Sequence, residues 1–143
     1  MTTFIDTNVL VYLLEEDSEF HEWAKAAILS AREDGPIIAC DIVYAELSVG
    51  LDGKAETDKA MLELAIDRLP FSNDVLFSAG RAYKEHLRRG GSKSNVLSDF
   101  LIGAQAEIED APLLTNNAKD YRSYFAKINC IEPKKGGVEA ASK

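Results

Sequence analysis

Gly35-Pro36-Ile37-Ile38-Ala39-Cys40-Asp41 contains the run whose reading decides the fold. Ile37-Ile38-Ala39-Cys40 is apolar throughout and lacks the alternation of a half-exposed strand. That is the pattern of a short strand buried on both faces of a parallel sheet. On its N-terminal side, residues 18–34 place Phe20, Trp23, Ala24, Ala27, Ile28 and Ala31 on one stripe at helical spacing, and Gly35-Pro36 stops the helix. On its C-terminal side a helix begins at Asp41, carries Val43, Tyr44, Glu46 and Leu47, and ends near Gly50 or Gly53.

The same strand-then-helix grammar extends in both directions. Phe4-Ile5 reads as a buried strand, Asp6-Thr7-Asn8 as a turn and cap, and residues 9–14 as a short helix. Residues 56–68 read as a helix closed by Pro70, and Ser72-Asn73-Asp74 caps another that runs to Arg89. Beyond Gly90-Gly91, residues 95–106 form a helix with Val96, Phe100, Gly103 and Ala104 toward the core. Residues 112–115 are a third strand, followed by Asn116-Asn117 as cap and a brief helix, and residues 128–131 are a fourth. Strands separated by helices make βαβ units, hence an α/β fold with a parallel sheet covered on both faces. One domain over residues 1–133 is expected, with residues 134–143 a flexible polar tail on composition.

A chain of 143 residues is long enough for a real core, and 46% hydrophobic with 28% charged residues is ordinary for a globular protein. No apolar run is long enough to span a bilayer, and MTTFIDTNVL has no basic stretch before its apolar residues, so a cytoplasmic protein without a membrane partner is expected. Cys40 and Cys130 sit in short apolar runs and read as reduced, buried thiols. The net charge of −8 argues against binding nucleic acid by bulk electrostatics. Residues 81–93 run against that trend, with Arg81, Lys84, Arg88, Arg89 and Lys93 opposed only by Glu85. Such a patch either touches phosphates or is a solvated helix end whose cations suit the C-terminal dipole.

In parallel sheets, sites form beyond the carboxyl ends of the strands. That rule selects Asp6-Thr7-Asn8, Asp41 and Glu46, Thr115-Asn116-Asn117, and Asp99. Asp6 reads as an N-cap and Glu46 as a solvent-facing glutamate when each is taken alone. Asp99 stands in Val96-Leu97-Ser98-Asp99-Phe100-Leu101-Ile102-Gly103-Ala104, with almost no polar face around it. Its carboxylate needs a compensating partner, the plainest being an ion pair with Arg81, Arg88 or Lys93. Three carboxylates from three segments at one sheet edge repel each other, and a divalent cation resolves that repulsion. Hard oxygen donors without Cys or His select Mg²⁺ or Mn²⁺. The chain has no P-loop, dinucleotide fingerprint or nucleophile elbow, and His21 and His86 lie away from the strand ends.

Phe4 to Tyr12 (FIDTNVLVY), Ile42 to Leu47 (IVYAEL), Ser98 to Ala106 (SDFLIGAQA) and Leu113 to Tyr121 (LLTNNAKDY) resemble, in order and spacing, the PIN-domain family, and within it the VapC-type toxins of prokaryotic toxin–antitoxin pairs. The resemblance covers about residues 2–133. It implies a PIN-like three-layer α/β/α sandwich and an Mg²⁺- or Mn²⁺-dependent ribonuclease. It makes Asp6, Glu46 and Asp99 the metal-binding, catalytic acids, with Thr7, Asn8 and Thr115 in support. Asn117 stands where the family often has a fourth acid, with Asp120 three residues on, and Asp41 stands where a serine or threonine is frequent. The implied reaction is hydrolysis of an RNA phosphodiester by a metal-activated water, with residues 81–93 guiding the RNA backbone. A homodimer and an antitoxin that inserts a basic side chain among the acids are the implied partners. Two rival readings are a non-catalytic PIN-like module that binds RNA or protein, and a small phosphatase or receiver-like domain using Asp6 covalently.

Overall fold

The computed structural model describes residues 1–92 and 97–133. Chain order is β1 (Thr3–Ile5), α1 (Thr7–Leu14), α2 (His21–Asp34), β2 (Ile37–Cys40), α3 (Asp41–Val49), α4 (Lys54–Glu63), β3 (Ile66–Leu69), α5 (Asn73–Arg88), α6 (Leu97–Ile108), β4 (Leu113–Leu114), α7 (Ala118–Tyr124) and β5 (Cys130–Ile131). The strands form one all-parallel sheet in the order β3-β2-β1-β4-β5. Right-handed crossovers place α1–α4 over one face and α5–α7 over the other. The packing agrees, with α1 against α2 and α3 on one side and α6 against α5 and α7 on the other. The expected sandwich is therefore the observed one.

The core follows from the apolar runs. Phe4, Ile5, Ile37, Leu113 and Leu114 are almost completely buried at the centre of the sheet, in register as Phe4–Ile38, Phe4–Leu113 and Ile5–Leu114. The α2 stripe Trp23, Ala24, Ala27, Ile28 and Ala31 is buried as its spacing requires, although the helix starts at His21 rather than residue 18. Ser72 caps α5, its Oγ accepting from the Val75 amide at 3.2 Å. Phe100, Gly103 and Ala104 face the core as expected.

The sequence reading differs from the structure at residues 56–68. The helix there ends at Glu63, Ala65 adopts a left-handed φ of 54°, and Ile66–Leu69 form a fifth strand beside β2. Only Ile66 of this strand is buried, and Asp67 and Arg68 are exposed. An edge strand guarded by charges carries neither a continuous apolar run nor a clean alternation, so it reads as the tail of a helix. Cys130 is half-buried rather than buried. Lys93, Asn95, Val96 and the tail at 134–143 lie outside the described residues.

Candidate functional site

The strand order reverses direction between β1 and β4, and ligands in open parallel sheets bind in the crevice beyond the carboxyl ends at such a switch point. Asp6 follows β1 there and Thr115 follows β4. Asp6 occupies the N-cap position of α1, yet its side chain makes no capping hydrogen bond. Instead its Oδ2 accepts from the Thr115 hydroxyl at 2.8 Å and from the Tyr121 hydroxyl at 3.1 Å. The simple capping reading of Asp6 is thereby set aside. Thr115 is fixed in turn, because its Oγ1 accepts from the Asn117 amide at 3.0 Å. Asn117 thus contributes its backbone.

Glu46 projects from α3 and is half-buried, not solvent-facing. Its Oε1 accepts from the Thr7 hydroxyl at 2.5 Å, so the side chain of Thr7 serves Glu46 while its backbone amide serves Asp6. Asn8 is exposed on the first turn of α1, and Asp41 is exposed beside Arg68 at 3.8 Å.

Asp99, in the first turn of α6, brings the third carboxylate. Burial pushes its pKa up to about 6, and the charges of Asp6, Glu46 and Asp120 push it in the same direction. The Tyr121 hydroxyl acts in the opposite sense. The ion pair expected for Asp99 is not formed by Arg81 or Arg88. Arg81 lies over the Phe77 ring and Arg88 pairs with Glu85 at 2.5 Å. Asp6 is also held above the ordinary carboxylate range, chiefly by burial, against the pull of Thr115, Tyr121 and the Thr7 amide. Asp120, on α7, is exposed but close enough for its charge to act on Asp99.

The charges of Asp6, Glu46 and Asp120 thus all act on Asp99 at the end of the sheet, and like charges gathered in this way are what a divalent cation neutralises. The donor set is all oxygen, matching Mg²⁺ or Mn²⁺ by chemistry. Among the described residues, no three acidic, histidine or cysteine side chains converge into a ready-made cage. The thiols take no part: burial pushes Cys40 and Cys130 each up to about 11.

Tyr121 is the site residue that sequence reasoning missed. Its ring is buried and its hydroxyl, held far above the ordinary phenol range by burial and by Asp6, donates to that carboxylate. A buried tyrosine needs a partner for its hydroxyl, and its position next to Asp120 was the available signal.

On α5, the basic residues are partly spoken for. Arg88 and Arg89 both bond Glu85, holding its carboxyl down to about 2, and Arg89 also lies over the Tyr124 ring at 4.5 Å. Lys84 is exposed.

The sequence model of the PIN domain matches residues 3–126. Ribonuclease VapC2 of Rickettsia felis is 30% identical over 129 residues, covering 85% of this chain and 91% of that protein. Ribonuclease VapC10 of Mycobacterium tuberculosis is 29% identical over 113 residues, covering 79% of this chain and 80% of that one. The fold resembles a crystal structure of VapBC2 from Rickettsia felis bound to a promoter DNA fragment, with a TM-score of 0.67 at 24% identity over 91% of this chain and 97% of that one. It is equally similar to VapBC-1 from nontypeable Haemophilus influenzae, with a TM-score of 0.67 at 20% identity over 92% and 98% of the two chains. Among the described residues, no helix is long and apolar enough to cross a membrane.

Proposed function

Because this chain belongs to the PIN-domain family, we propose that it is an endoribonuclease dependent on Mg²⁺ or Mn²⁺, and the toxin of a toxin–antitoxin pair. One observation carries the proposal: the charges of Asp6 and Glu46, borne by two other segments, both act on the half-buried Asp99 at the sheet's switch point, where Thr115 and Tyr121 tether Asp6. The curated relatives named as ribonucleases and the folds of toxin–antitoxin complexes support the same reading.

Asp6, Glu46 and Asp99 would hold the ion, with Asp120, whose charge acts on Asp99, in support. When bound, the ion supplies an activated water and a clamp on the charge that develops at the phosphorus. The protein contributes orientation. Thr115 and Tyr121 fix Asp6, and Thr7 fixes Glu46, so the first acids are held in position before substrate arrives. Arg81, Lys84 and Arg88 on α5, with Arg89 at its C-cap and Lys93 beyond it, would draw the RNA backbone toward an otherwise repulsive acidic end. An antitoxin offering a basic side chain to the same acids would block it, and a homodimer is the proposed assembly.

The test is cleavage of total cellular RNA by purified, antitoxin-free protein with Mn²⁺, with EDTA, and with Asp99→Asn. Discrete fragments that require the metal and vanish in the variant are expected. No cleavage by folded, metal-loaded protein would leave a PIN-like binding module. Cleavage that survives Asp99→Asn would place the site elsewhere.

A further inference from the structure

Next to the carboxylates, a pocket of about 250 Å³ opens where α5, α6 and α7 meet. Asp99 and Asp120 form its acidic side, and His86, Phe100 and Tyr124 give it aromatic walls. The Phe100 and Tyr124 rings meet edge-on at 5.0 Å, and His86 meets Tyr124 at 5.9 Å. These rings are held in place from several directions. His86 Nε2 lies 2.9 Å from the Ser92 carbonyl, which can only accept, so this nitrogen carries the proton. Nδ1 then accepts from the Tyr124 hydroxyl at 3.0 Å. Gly91 backs the imidazole so closely that a Cβ there would stand 2.2 Å from the ring. The Arg89 guanidinium stacks over Tyr124. Tyr124 also lines a neighbouring cleft of about 220 Å³ that contains Arg81 and Arg89 together with Glu85 and Glu107. Carboxylates, aromatic pocket and arginines therefore follow one another across a single surface.

We propose that the pocket receives one unstacked nucleobase of the RNA strand, beside the phosphodiester presented to Asp99. The proposal rests on the ribonuclease reading and adds to it a place on this chain where one base is held. Bases present a π-face to aromatic rings only when they leave their own stack, and single-stranded RNA is recognised in that way. His86 has both ring nitrogens engaged, so its contribution is to hold Tyr124 in position.

The experiment is fluorescence anisotropy in EDTA, where no cleavage occurs, using the full chain and a labelled oligoribonucleotide of about six nucleotides, within the span of one single-strand site. Wild type, Tyr124→Ala and Tyr124→Phe are compared on the single strand, on its duplex, and on strands with one base at a time replaced by an abasic ribose. Tyr124→Ala is expected to weaken single-strand binding about 10- to 100-fold, and Tyr124→Phe less than about threefold. One abasic position should reproduce the Tyr124→Ala loss in wild type and add nothing to it in the variant. If Tyr124→Ala fails to fold, the abasic series on wild type decides alone. Unchanged binding by folded Tyr124→Ala, indifference to every abasic position, or a duplex bound as well as the single strand would overturn the pocket. Metal-dependent cleavage is measured alongside. Cleavage with Tyr124-independent binding sinks the pocket and leaves the nuclease. Tyr124-dependent binding without cleavage keeps the pocket and sinks the nuclease. Neither binding nor cleavage sinks both.

Discussion

Asp99 sits half-buried with the charges of three other carboxylates acting on it, and among the described residues no cation pairs with it. Its folded-state pKa of about 6 lies above its ordinary value, so between the two the folded protein binds more protons than the unfolded chain. Stability must therefore fall as pH rises through that window. In EDTA, the denaturation midpoint is expected to be higher at pH 5 than at pH 7. Asp99→Asn should flatten that dependence and be the more stable protein at pH 7, while losing the proposed cleavage. A wild-type midpoint that rises from pH 5 to pH 7 would contradict this account. Tyr121 makes the complementary case. Tyr121→Phe removes one of the two side-chain donors on Asp6 Oδ2, so the acid is held higher still. Activity is expected to fall about 10- to 100-fold, the worth of one hydrogen bond to a charged group. The acidic limb of the pH–rate profile should move upward, a shift that general loosening of the fold would not produce.

At the scale of elements, the site depends on how closely α6 approaches α7. Gly103 makes that approach possible: a Cβ there would meet the Phe125 ring at 2.6 Å and the Tyr121 ring at 2.9 Å. Gly103→Ala must move one helix or both rings, at a cost of about 1–3 kcal/mol. Because Tyr121 carries the hydroxyl that reaches Asp6, activity should fall along with the urea midpoint. A variant that loses stability but keeps full cleavage would separate the helix contact from the site. Elsewhere, α4 and β3 are divided by Ala65 in a left-handed conformation, a position where no glycine signals the stop. That missing punctuation, together with the charged Asp67 and Arg68, is why β3 was not legible while β2, with its uninterrupted apolar run, was.

Across the whole molecule, a chain of net charge −8 gathers Arg81, Lys84 and Arg88 on α5, with Arg89 at its C-cap. Glu85 tempers that flank by binding Arg88 and Arg89 together. Glu85→Gln frees both guanidinium groups and is expected to tighten RNA binding about two- to fivefold at low salt, with the gain shrinking as ionic strength rises. A gain independent of salt would mean that the flank does not act through charge. The sequence by itself determined the α/β class, four of the five strands and the acids worth examining, because helical periodicity, buried apolar runs and turn residues act between near neighbours in the chain. Only the tertiary structure decided that Thr7 bonds Glu46, that Tyr121 reaches Asp6, and that Arg88 turns to Glu85 rather than to Asp99. The first two join residues 39 and 115 positions apart, and contacts across such distances leave no periodic trace. The third is a choice among partners that spacing alone permits equally, settled by which carboxylate remains within reach once the helices have packed.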